Sequence, residues 1–176
     1  MTEGEELDDQ ECALVGRIIL SVAAAESVVS KIWWHFSFVA GETLEPERCQ
    51  KRPMSEKLQA LRKLIPQDGR RTDQQLSLII EAFSYIEDDR HALVHGYPAV
   101  TVEGGVVLNL RQNYHVWAGD LPPLCDWARH LRHVSFQMYV DATRGIYEAE
   151  TAMPPLEPLP VPPGKFARKA PLIPPR

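Results

Sequence analysis

The sequence predicts a mainly α-helical domain, an antiparallel bundle of about four helices with a small β-hairpin inserted before the last one. Three observations carry that expectation. Apolar residues recur at three- and four-residue steps through four segments, the spacing that builds one apolar stripe on a helix. After Gly96 the apolar period shortens to two, which is the signature of a strand. Glycine and proline fall where those periodic segments end.

The first helix is expected over 7–39, with Leu14, Ile18, Val22, Ala25, Val29, Ile32 and Phe36 on one stripe and Gly41 as its stop. Residues 42–52 are polar, include Pro46, and read as a loop. A shorter helix opens at Pro53 and closes before Pro66, turning Leu58, Leu61, Leu64 and Ile65 inward. The third helix opens on a capping-box pattern, Thr72 to Gln75, and its stripe runs Leu76, Ile79, Phe83, Ile86, Arg90, Leu93. A hairpin insertion is expected over 99–117: Val100, Val102, Val106, Val107 and Leu110 flank the turn Glu103-Gly104-Gly105, and Tyr114 to Trp117 add a third short strand. Asp120 is a suitable N-cap for a last helix, with Leu124, Trp127, Leu131, Val134 and Met138 inward and an end near Glu150.

The organisation follows: an acidic disordered start over 1–6, a helical domain over 7–152, and a tail over 153–176. The tail opens Pro-Pro-Leu-Glu-Pro-Leu-Pro-Val-Pro-Pro-Gly, which suits an extended, disordered segment or a ligand for a proline-recognising groove. A chain of 176 residues supports one domain with a core. Its formal net charge of −5 excludes a surface that is basic throughout, so any nucleic-acid site must be a local patch. Cys12, Cys49 and Cys125 form neither a Cys-x-x-Cys pair nor a disulfide framework, which suits a reducing cytoplasm. Arg17, Glu26 and Lys31 interrupt the longest apolar stretch, so it reads as a buried helix and no membrane partner is expected.

Arg90 stands on an apolar stripe, and burying a guanidinium is costly unless it is paired or lines a cleft. Asp88 and Asp89 precede it, and His95 follows, with Gly96, Tyr97 and Pro98 immediately after. On an ideal helix Arg90 and His95 stand roughly 140° apart. If the last turn unwinds at His95, the imidazole can swing back toward the guanidinium. A titratable imidazole beside a permanent cation suits metal-independent cleavage of RNA. The 2′-hydroxyl must lose a proton and the leaving 5′-oxygen must gain one, while the pentacoordinate phosphate gathers negative charge.

The segment Arg90-His91-Ala92-Leu93-Val94-His95 resembles the R-x4-6-H motif of the HEPN superfamily, including the polar residue after the arginine. Extended to Tyr97, it is similar to the R-x4-H-x-Y motif of HEPN toxins that are paired with nucleotidyltransferase antitoxins. In those toxins the tyrosine can be nucleotidylated, which silences the RNase. Ser55-Glu56-Lys57-Leu58 is similar to a lysine-bearing segment upstream in many relatives. The resemblance implies a helical fold, a homodimer with two Arg-His motifs lining one cleft, RNA as substrate, and an antitoxin or other protein as a further partner. It implies Arg90 and His95 as catalytic residues, with His91 and Tyr97 in support. The inserted hairpin departs from the compact toxins, which bears on the subtype more than on the superfamily.

Other constellations are weaker. His91 and His95 have the i, i+4 spacing of a helical metal pair, but a zincin needs glutamate where Ala92 stands, so no metal or cofactor is expected. Arg129, His130, Arg132 and His133 form either a solvated basic face or a contact for the RNA backbone. Glu26 and Asp89 are candidate partners for Arg90; Glu26 could equally face outward. Trp33-Trp34 suits core or interface better than a base-stacking platform. The expected protein is a cytoplasmic, prokaryotic or phage-encoded endoribonuclease of defence or stress. The alternative is a non-catalytic helical interaction module.

Overall fold

Asp8 and Glu11 start the first helix by a reciprocal exchange. The Asp8 N–H donates to Glu11 Oε2 at 2.8 Å, and the Glu11 N–H donates to Asp8 Oδ1 at 2.7 Å. This capping box satisfies donors that a helix start leaves open. The computed structural model describes residues 7–101, 104–109, 114–145 and 168–169. Expectations for the acidic start 1–6, for Val102, Glu103 and Leu110, for Glu150, and for the rest of the tail lie outside the described residues.

The chain is mainly α. Among the described residues the order is α1 (Asp9–Val39), α2 (Pro46–Lys51), α3 (Met54–Leu64), α4 (Arg71–His95), β1 (Tyr97–Thr101), β2 (Gly104–Asn109), β3 (Tyr114–Trp117), a 3₁₀ turn (Ala118–Asp120), α5 (Leu121–Thr143) and β4 (Arg168–Lys169). Gly41, at φ 79°, ends α1. The Glu42 N–H returns to the Ser37 carbonyl at 2.9 Å and the Gly41 N–H to that of Phe38 at 3.0 Å, a left-handed cap that a Cβ would strain. Gly145, at φ 70°, stands just past α5, which ends at Thr143 and so before the expected limit.

Two elements differ from expectation. Pro46 does not hold a loop open but sits at the first turn of α2, where its missing N–H costs nothing. At the start of α4, Thr72 is buried within the first turn, and Gln75 turns inward to Asp141 rather than back to cap the helix. The reciprocal carboxylate is Asp73, whose Oδ2 accepts the Gly69 N–H at 2.9 Å.

The strands form one antiparallel sheet in the order β1-β2-β3-β4. Thr101 pairs with Gly104 and Val100 with Gly105, so both glycines belong to β2 instead of the turn. Pro98 lies in β1, an edge strand, where a residue without an N–H is tolerated. β4 was not anticipated: within the tail, Arg168 pairs with His115 and Lys169 with Tyr114.

The contacts separate into two compact units. One contains the described parts of 1–20, 84–129 and 159–176. Its buried residues include Ile18, Ile86, Leu93, Leu121, Leu124 and Trp127, and the Tyr85 and Trp127 rings are 4.8 Å apart. The other contains 21–83 and the described part of 130–158. Val22, Val29, Ile32, Leu61, Leu76, Ile79, Leu131 and Met138 are fully buried in it. Its polar centre is Asp141, 4% exposed, whose carboxylate accepts from Arg71 Nε at 2.7 Å, Gln75 Nε2 at 2.6 Å and Gln137 Nε2 at 3.0 Å. Three donors compensate a carboxylate that burial would otherwise penalise.

α1 has the length and composition of a membrane span, with a mean hydropathy of 1.8 over its most apolar window. A core helix or a signal sequence meets the same description; 28% of that window is buried, and Val22, Ala25, Val29 and Ile32 of α1 are covered by protein.

Candidate functional site at the end of helix α4

α4 carries the Arg-His segment through its last two turns, and its apolar stripe explains why the charges fall where they do. From Ile79 the buried positions run Ala82, Ile86, Asp89 and Leu93 at steps of three and four, with Phe83 and Ala92 buried beside them. Asp89, 1% exposed, takes the inner position that the sequence reading assigned to Arg90. Arg90 is half-buried beside it. The steps of three from Ile86 to Asp89 and of four to Arg90 are both helical, so the sequence alone does not identify the deeper charge.

His95 is the last residue of α4, Gly96 follows it, and β1 begins at Tyr97. α4 stays helical through His95 and ends there, before Gly96, so the condition under which the imidazole could swing back toward Arg90 is not met. Its neighbour in space is His91, one turn earlier. The two rings have centroids 4.5 Å apart and are tilted by 58°. That follows from helical geometry, because residues four apart stand on nearly the same face. His91 is half-buried and His95 exposed, so the pair grades from protein into solvent. The helix C-terminus carries a partial negative charge, so a phosphate here must be held by side-chain cations rather than by the helix dipole. Arg90 is the permanent cation in this turn.

The remaining candidates are distributed differently. Tyr97 opens β1 opposite Leu108; its side chain lies outside the described residues. Glu26 acts on Lys57 of α3. Burial pushes the Lys57 ammonium below its usual 10.5, while the Glu26 carboxylate and Cys49 act to restore its charge. Lys57, 3% exposed, donates from Nζ to the Gln50 carbonyl at 3.2 Å and so ties α3 to the end of α2. Burial likewise pushes the Cys49 thiol above 9.0, with Lys57 opposing. Sequence reasoning noticed Lys57 only through its segment; its burial and its carboxylate neighbour are what the fold adds.

Arg129 and Arg132 are exposed on α5, as expected of a solvated basic face. Arg129 meets Asp126 at 3.4 Å, an exposed pair of small energetic weight. His130 is half-buried, and burial, followed by the nearby His133, lowers its pKa below 6.5. All three cysteines are free thiols. Among the described residues no group of three or more His, Cys, Asp or Glu side chains gathers as a metal site.

No family model, no curated protein and no solved structure matches the chain.

Chemically, the end of α4 offers two adjoining imidazoles, one half-buried and one exposed, and a half-buried guanidinium at Arg90, roughly 140° from His95 around the helix axis. One imidazole can accept a proton while its neighbour donates one, and the guanidinium can face an anionic group.

Proposed function

We propose that this chain is a HEPN-like, metal-independent endoribonuclease whose reacting groups lie in the last turn of α4. The observation that carries the reading is the His91–His95 ring contact one helical position beyond Arg90, at the point where α4 ends. In this reading His95, the exposed ring, removes the 2′-hydroxyl proton. The freed oxygen attacks the adjacent phosphorus in line, and the bond to the 5′-oxygen breaks. His91 stands close enough to return a proton to that leaving oxygen, while Arg90 faces the charge gathered on the phosphate. The products are a 2′,3′-cyclic phosphate and a 5′-hydroxyl. RNA is the substrate, the setting is cytoplasmic, and a toxin or defence role with an antitoxin partner follows from the motif's extension to Tyr97.

A second reading, a non-catalytic helical interaction module, is favoured by apolar surface in the other unit. Phe38 is 68% exposed and stacks on Trp34 at 6.0 Å, and Phe136 of α5 is 57% exposed. Apolar side chains left at a surface in this way suit association with a second copy. Incubating the protein and its His95→Ala variant with mixed RNA in EDTA separates the two readings. Cleavage by the parent alone supports the enzyme; a folded parent that leaves RNA intact supports the module.

A further inference from the structure

We propose that His91 and His95 form a binding site for one divalent late transition-metal cation, Cu²⁺ or Ni²⁺, held by one nitrogen of each ring. Residues four apart on a helix are separated by about 6 Å along its axis, whereas these ring centroids are 4.5 Å apart. The side chains therefore converge. A cation must lie in the plane of each ring that binds it. Planes tilted by 58° meet along a line, on which one cation can satisfy both rings. At a metal–nitrogen bond of about 2.0 Å, the cation lies roughly 3.2 Å from a ring centroid. Two rings at right angles around it then have centroids roughly 4.5 Å apart, and a tetrahedral angle spreads them to roughly 5.2 Å. The observed separation matches the right angle, the cis geometry of tetragonal Cu²⁺ and Ni²⁺ sites built from nitrogen and oxygen.

The surroundings favour the same class of ion. Among the described residues no third His, Cys, Asp or Glu joins the pair, so the protein supplies two ligands and water the rest. Mg²⁺ and Ca²⁺ call for oxygen ligands, and structural Zn²⁺ calls for four protein ligands. Imidazole suits Cu²⁺ and Ni²⁺, and Cu²⁺ stands highest in the affinity order of the divalent series. The partial negative charge at the end of α4 stands beside His95. Glu87 and Asp88, both exposed, lie one turn before His91 on the same face and add to that field. Arg90 is the opposing charge, and it stands roughly 100° from His91 and 140° from His95 around the axis. Half-buried His91 anchors the site, and exposed His95 opens it to solvent.

The test uses the full chain without an affinity tag, and Ni²⁺ as the probe, because Cu²⁺ would oxidise the three free thiols. Calorimetry and thermal melting are read side by side in excess Mg²⁺. The parent binds one Ni²⁺ and melts at a higher temperature, since only the folded helix turn holds both rings together. His91→Ala and His95→Ala each bind roughly 10²-fold more weakly, because the second imidazole acts intramolecularly, and both lose the melting shift. His133→Ala keeps the parental behaviour. A parent that binds no Ni²⁺, parental affinity in either single variant, or an equal loss in His133→Ala overturns the proposal. On the endoribonuclease reading, a cation on both rings withholds them from RNA, so saturating Ni²⁺ stops cleavage and EDTA restores it. RNA left intact by the parent even in EDTA overturns the enzyme reading alone, because the binding is read without RNA.

Discussion

His91 and His95 hold their rings 4.5 Å apart across the last turn of α4. This places two proton-transfer groups, rather than one, at the end of α4, while the intact helix leaves Arg90 roughly 140° from His95 around the axis. Histidines in such roles contribute roughly 10²- to 10⁴-fold to rate. His91→Gln is therefore expected to slow RNA cleavage by about 10²-fold or more while RNA affinity is kept. Single-turnover rates and binding measured side by side check this; an undiminished rate assigns His91 to packing alone.

The Asp141 carboxylate gathers Arg71, Gln75 and Gln137 in the unit that lacks the Arg-His turn. Asp141→Ala leaves Arg71 without its ion-pair partner in a setting where its side chain is 13% exposed. A loss of roughly 3 to 5 kcal/mol is expected, and a smaller one, about 1 to 3 kcal/mol, for Asp141→Asn. Urea unfolding measures both, as a lower midpoint with an unchanged slope.

Lys57 couples stability to alkaline pH. Its folded pKa is depressed below 10.5 by burial, so between the two values the unfolded chain binds more protons and stability rises with pH. Cys49 acts oppositely: its folded pKa is raised above 9.0, so its contribution falls as pH climbs past that value. Lys57→Met removes the rise and leaves the fall. Chemical denaturation across this range should show the parent gaining on the variant as pH approaches 10.5; a constant difference would count against a buried, neutral-preferring lysine.

His130 gives the corresponding effect in acid. Its depressed pKa means its contribution is complete above 6.5 and is lost as pH falls through the folded value. His130→Gln should lose less thermal stability than the parent between about pH 7 and about pH 5. Melting temperatures followed down the pH scale test it, and identical losses would exclude His130 as a contributor.

The helices were legible because their signals are local. Leu14 to Ile32 and Leu76 to Ile86 repeat at helical steps, and Gly41 and Pro66 mark ends. What escaped was set by position around the axis or by distant partners. Arg90 and Asp89 are neighbours in sequence, and only the fold decides that Asp89 goes inside. Gln75 fits a capping box until Asp141 of α5 draws it inward. β4 had no periodic signal, since a two-residue strand exists only through its pairing with β3. At the candidate site, the segment and its helix end were readable, whereas the His91–His95 contact required the helix to persist through His95.

Metal-independent RNA cleavage at the end of α4 has one direct test. The most direct measurement is the end chemistry of RNA incubated in EDTA with the parent and with His95→Ala. Fragments ending in a 2′,3′-cyclic phosphate are expected with the parent and intact RNA with the variant. Intact RNA with both proteins, or the same fragments from both, would contradict it.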